Sequence, residues 1–198
     1  MKRRTFDKIV TTMGAGLTVF LFIVAGLLNF GYHFADKNVR DNLVVQKVTF
    51  PKADSPALMA LPDADKKAMT KYAGQLLSNG DMAKTYADHF ISVHMNGIAG
   101  GKVYEEVSGE FLSKSAMLKA DPTNATLKAE VATLDAQRSQ LFMGNTLKGL
   151  LGFSYAFWQF GQIAKLSAGV ALVGGILMLL LTVAGYLHLR RTDDSATI

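Results

Sequence analysis

The sequence predicts an all-α membrane protein, with two transmembrane helices carrying a small extracytoplasmic helical bundle. Three observations predict it. Residues 166–189 run LSAGVALVGGILMLLLTVAGYLHL with no Asp, Glu, Lys or Arg. Residues 9–32, IVTTMGAGLTVFLFIVAGLLNFGY, are equally free of charge. Between them, apolar residues recur at helical spacing and prolines are confined to a few places. Twenty-four helical residues rise about 36 Å, enough to cross a hydrocarbon core of about 30 Å with some tilt. A soluble helix apolar on every side needs a large protein around it, which 198 residues cannot supply.

Residues 1–8 form a basic leader with Lys2, Arg3, Arg4 and Lys8 against Asp7. The first apolar run exceeds a signal-peptide core in length. No small-x-small cleavage site follows it, since His33-Phe34-Ala35 is too bulky, so it reads as an uncleaved span. Arg190 and Arg191 follow the second span at once. Both positive flanks lie away from the middle of the chain, which predicts cytoplasmic termini in a plasma-membrane hairpin and residues 33–165 outside. The resulting division is leader 1–8, span 9–32, extracytoplasmic helical domain 33–146, interfacial aromatic segment 147–165, span 166–189 and cytoplasmic tail 190–198.

Within the outer segment, residues 34–46 continue the first helix. Lys47–Phe50 leans towards β, and residues 51–62 form a proline-rich loop. A helix follows Pro62-Asp63, carrying Met69, Tyr72, Ala73, Leu76 and Leu77. Ser78-Asn79-Gly80-Asp81 is a turn, with Gly80 for a left-handed C-cap and Asp81 as the next N-cap. Met82 to about Asn96 is one helix, ended by Gly97, Gly100 and Gly101. Lys102–Leu118 is another. Asp121-Pro122 starts a last helix that, with no later proline, continues into the second span. Gly144, Gly149, Gly152 and Gly161 are bends, not breaks.

The net charge is +5, but residues 33–166 hold fifteen Lys or Arg against thirteen Asp or Glu. With no basic stripe there is no footprint for nucleic acid. The absence of cysteine excludes disulfides, thiolate metal sites and cysteine nucleophiles. A mean hydropathy of +0.20 suits a membrane protein with a sizeable aqueous part.

The chemistry-bearing residues read as ordinary surface or core. His89 and His94 are five apart, about 140° round a helix, whereas a two-histidine zinc face needs four. With Asp88 they make no metal set. Glu105, Glu106 and Glu110 sit near Lys102 and Lys114 and read as a salt-bridged face. GIAGGK at 97–102 lacks phosphate-loop spacing and the Ser or Thr after its lysine. No catalytic residue, cofactor or metal is expected.

Small residues in the spans say more. Ser167, Ala171 and Gly175 form one small-xxx-small ribbon, flanked by Ala164 and Ala168, and Gly14 and Thr18, with Thr11 and Ala15, form another. Such ribbons let helices approach closely in lipid, either the two spans together or also copies and partners. Tyr32, Tyr155 and Trp158 are expected as interfacial anchors.

The blocks TFDKIVTTMGAGLTVFLFIVAGLL, QKVTFP with SPAL, YAGQLLSNGDMAKTYADHFISVHM, GKVYEEVS and NTLKGLLGFSYAFWQFGQIA together resemble a family of two-span membrane proteins from actinobacteria, in the same order and over most of the chain. Members are often labelled aromatic ring-opening dioxygenases. The sequence gives that label no support, because a non-haem iron site needs a His and carboxylate set and His33, His89 and His94 are poorly spaced for one. The resemblance implies topology and taxon, and no functional residue.

The function expected is non-enzymatic: a protein in the lipid bilayer that self-associates or serves as accessory subunit of an envelope or respiratory complex, through contacts of its outer helices. The alternative is an extracytoplasmic ligand sensor. It would act through a partner, because nine residues after Leu189 cannot hold a signalling domain. An outer-face metalloenzyme comes third.

Overall fold

The computed structural model describes residues 2–191. Among them every regular element is helical, and they divide into two units: residues up to 38 with those from 159 onward, and residues 39–158. The expected tail falls largely outside the described residues.

Helix α1 runs Arg3–Val44 as one piece of 42 residues, so its apolar run and the amphipathic 34–44 stretch are continuous. It ends where Lys47 takes a left-handed conformation, φ 54°. The chain then extends. Phe50 N–H donates to the Gln75 carbonyl at 2.9 Å and Leu77 N–H to Val48 at 2.9 Å, around an antiparallel bridge of Thr49 and Leu76. The β-leaning 47–50 stretch is therefore paired, and its partner corrects the expected helix. Helix α3, Asp63–Thr70, stops before Leu76 and Leu77. Gly74, at φ 71°, turns the chain so that Leu77 enters the core from an extended backbone, completely buried.

The proline-rich loop holds one short helix, α2, Pro56–Met59, with Ser55 as its cap and Pro56 opening its first turn. Helix α4 is Gly80–Tyr86. Asn79, not Asp81, caps it, its side-chain oxygen accepting from Met82 N–H at 2.9 Å, and Gly80 is the first helical residue instead of a C-cap. The expected helix to Asn96 is interrupted by a π-helical turn, Ala87–Ile91, before α5, Ser92–Asn96. The Ser92 hydroxyl donates to the Ala87 carbonyl five residues back, at 2.9 Å. A 3-10 turn follows, with Ala99, Gly100 and Gly101 all at positive φ.

Helix α6 spans Tyr104–Ala120, its entry fixed by Val103 N–H donating to the Glu106 carboxylate at 2.8 Å. At the next start Asn124, not Asp121, caps the helix, accepting from Leu127 N–H at 3.0 Å. Asp121 instead ties the turn through Thr123 and Asn124. Helix α7 then runs Ala125–Arg191 without interruption, 67 residues, roughly 100 Å long.

The core of the 39–158 unit gathers Val39 and Leu43 of α1, Phe50, Leu58, Leu61, Met69, Leu77, Met82 and Ala83. Phe50 stands 5.3 Å from both Tyr72 and Tyr86, edge-on to the second. Leu151 and Trp158 of α7 pack on this cluster. In the other unit α1 and α7 lie antiparallel, and most of their large side chains point outward, away from each other. Both helices are long and apolar enough to cross a membrane.

Candidate functional site

The two long helices meet along a seam of small residues. The least exposed positions of α1 step by three and four: Thr11, Gly14, Thr18, Leu21, Ala25, Leu28, Tyr32, Ala35. On α7 they step the same way through Gly161, Ala164, Ala168, Ala171, Gly175, Met178, Thr182 and Gly185. A 3.5-residue repeat is the signature of a left-handed pair. Register follows from the glycines. A Cβ on Gly161 would stand 2.9 Å from that of Ala35, one on Gly175 3.5 Å from that of Leu21, and one on Gly14 2.8 Å from the Thr182 hydroxyl. Gly14, Thr18, Ala171 and Gly175 thus lie on the seam. Ser167 is half-buried at its edge, because an i, i+4 ribbon drifts off a 3.5-residue repeat. Thr18 satisfies its hydroxyl on the Gly14 carbonyl at 2.8 Å.

At one end of this pair the Lys165 ammonium lies 4.9 Å over the Tyr32 ring. At the other, His188 and Asp7 approach to 3.7 Å and the Arg190 guanidinium lies over Tyr186. Lys2, Arg3, Arg4, Lys8 and Arg191 are exposed. Tyr155 and Trp158, expected as anchors, have protein partners: Lys84 lies 5.4 Å over the Tyr155 ring, and Trp158 covers Gly80 at the start of α4.

The histidines do not converge. His89 Nδ1 donates to Asp65 at 2.7 Å, joining the π turn to α3. His94 Nδ1 donates to the Phe90 carbonyl at 2.7 Å, and Asp88 pairs with Lys84 at 2.5 Å. No group of three metal-ligating side chains occurs among the described residues. Of the α6 carboxylates, Glu110 is paired, but not with the neighbour that i, i+4 spacing predicts. Lys102 reaches Glu110 at 2.6 Å and Lys114 crosses to Glu130 of α7 at 2.7 Å, because Glu106 is held at the helix entry. The 98–101 part of GIAGGK is a tight turn.

One polar cluster has a pH consequence. Tyr72 donates its hydroxyl to Asp81, and Lys71 approaches the same carboxylate at 3.0 Å. The Tyr72 hydrogen bond first, then Lys71, hold Asp81 below the usual carboxylate range. Burial, then the Asp81 bond, push Tyr72 up. A depressed carboxylate stabilises the fold above its unfolded pKa of about 4 and loses that contribution as pH falls through its folded value. The 39–158 unit should therefore lose stability below about pH 4, and Tyr72→Phe should flatten that acid limb while leaving the neutral-pH fluorescence of Trp158 unchanged. Identical acid limbs in both proteins would remove Tyr72 as the cause.

A final feature is an apolar strip on α7. Met143, Leu147, Leu150 and Phe153 are exposed on the side away from the buried Leu141 and the half-buried Leu151 and Tyr155. The strip begins at a groove formed by Tyr104, Arg138, Ser139, Phe142 and Met143. The Tyr104 and Phe142 rings lie tilted to each other with centroids 6.0 Å apart, and the Arg138 guanidinium lies 4.1 Å over Phe111. The sequence carried this signal in the seven-residue interval from Met143 to Leu150, but periodicity alone does not say which apolar face the fold leaves uncovered.

No known protein family, curated protein or solved structure matches the chain.

Proposed function

We propose that the chain is an integral protein of the plasma membrane with both termini cytoplasmic and residues 33–165 outside. It works through protein contacts of its outer helices, self-associating or acting as accessory subunit of a larger envelope or respiratory assembly. The observation that carries this reading is the distribution of apolar surface. Large side chains point outward all round the α1–α7 pair, as lipid requires and water does not. The 39–158 unit by itself carries a further exposed apolar strip, Met143, Leu147, Leu150 and Phe153.

Two further features support the placement. Basic residues flank both long helices at the same end, and the Lys165–Tyr32 pair marks the opposite headgroup level, where lysines snorkel and tyrosines sit.

Mass photometry with mass spectrometry on protein extracted natively from its membrane tests the function. A homo-oligomer, or a particle with identified subunits, is expected. A lone monomer with nothing co-purifying would end both forms of the reading.

A further inference from the structure

We propose that the strip Met143, Leu147, Leu150 and Phe153 on α7 is a dimer seam, and that its occupant is the same strip of a second copy, packed parallel about a two-fold axis. The inference rests on the membrane reading above and names its partner.

Continuity is the first argument. Met143, Leu147, Leu150 and Phe153 follow one another along one uninterrupted helix and are all exposed, on the side turned away from Leu151 and Trp158, which pack on the core, so nothing within the 39–158 unit covers them.

Area is the second. Met143, Leu147, Leu150 and Phe153 are 56, 53, 62 and 79% exposed, and Phe142 beside them 59%. Together they offer on the order of 600 Å² per copy. Two copies would bury about 1,200 Å² in total, the lower bound of specific interfaces. Confinement to one membrane raises the effective concentration and helps so modest an area suffice.

Shape and charge are the third. A two-fold interface must be self-complementary. The bulky ridge of Leu150 and Phe153 is flanked on the same helix by Gly149 and Gly152, where an added Cβ would meet nothing within 4 Å. Each copy thus carries both a ridge and a notch. Between Arg138 and Lys165 the only charged residue is Lys148, about 140° round the helix from Phe153, so like charges do not oppose self-pairing. Two copies with one topology present α7 in the same direction, which makes the pairing parallel, brings residues near the axis, Thr146 among them, close to their own counterparts, and sets the flanks of each strip, where Gly149 lies, against the partner's opposite flank.

The chain has no cysteine, so single-cysteine variants read this geometry directly. Thr146→Cys lies within the strip, and Lys148→Cys is about 160° away. Oxidation in native membranes should link Thr146→Cys into dimers and leave Lys148→Cys monomeric. Adding Gly149→Leu should lower the Thr146→Cys dimer yield at least about fivefold, by filling the notch. It should not lower the thermal midpoint read by Trp158, since the site is open in the single chain. Equal linking at both positions, or no effect of Gly149→Leu, overturns the proposal. No linking beside a particle of other subunits overturns the second copy and leaves the interaction reading standing. No linking with a lone monomer overturns both.

Discussion

Replacing Gly80 with alanine should destabilise the 39–158 unit by about 3 kcal/mol, a fall in melting temperature on the order of 10 °C. The new Cβ would stand 2.5 Å from Trp158 Cβ, 2.7 Å from Cγ and 2.9 Å from Cδ2. The nearest of these atoms is bonded to the α7 backbone, so no change of tryptophan rotamer makes room. Either α4 or α7 must move, and with it the packing of Met82 and Ala83 in the core. Gly109→Ala is the contrast. That glycine lies inside α6 with nothing within 4 Å, so alanine should add about 0.5–1 kcal/mol through helix propensity. The chain has a single tryptophan, so the fluorescence of Trp158 reports both melts. Superimposable melts of Gly80→Ala and the unaltered protein would refute the α4–Trp158 contact.

The second large effect is expected at Gly161. Its added Cβ would meet Ala35 Cβ at 2.9 Å, and the Tyr32 carbonyl at 3.6 Å. Alanine has no rotamer with which to yield, and Ala35 is among the most buried residues of α1. Gly161→Leu should therefore pry the helices apart, costing about 2–3 kcal/mol. Gly14→Leu, against the Thr182 hydroxyl, should act in the same direction. Gly169→Leu meets nothing within 4 Å and should be silent. Energy transfer between dyes at Thr5→Cys and Leu187→Cys, followed through an SDS titration, measures the pair. If Gly161→Leu and Gly169→Leu unfold at the same SDS fraction, the seam does not hold the helices.

These two glycines show how legibility divides. Gly161 was readable as a small residue in a helix, and its neighbours Ala164 and Ala168 were readable as a packing face. Gly80 was not. A glycine between Asn and Asp carries the local signature of a turn, yet here it opens helix α4 behind the Asn79 cap. Its necessity comes from Trp158, 78 positions later, and no local pattern encodes that distance. The protein partners of the aromatic cluster at 155–160 were illegible for the same reason. Composition shows aromatics before the second span, and only the fold shows Tyr155 under Lys84 and Trp158 over Gly80.

Leu76 and Leu77 teach the same lesson for secondary structure. Their spacing from Met69 and Tyr72 fits a helix, yet the extended Val48–Phe50 segment offers backbone partners and a buried slot for Leu77, and the helix ends at Thr70. The π turn at 87–91 was equally silent, because one extra residue in a turn alters no composition and only shifts which side chains face the core.

By itself the sequence determined the helical class, the two charge-free runs, the continuity of α7 through its glycines, the cysteine-free chemistry and the small residues available for close approach. Each of these is local, set by length, charge and the absence of proline within one stretch. The tertiary structure decided the register of α1 on α7, the cap at Asn79, the pairing of Lys114 with Glu130, the Tyr72–Asp81 bond and the apolar strip left uncovered on α7. Each of these depends on residues distant in sequence competing for one place, and that competition exists only once the chain is folded.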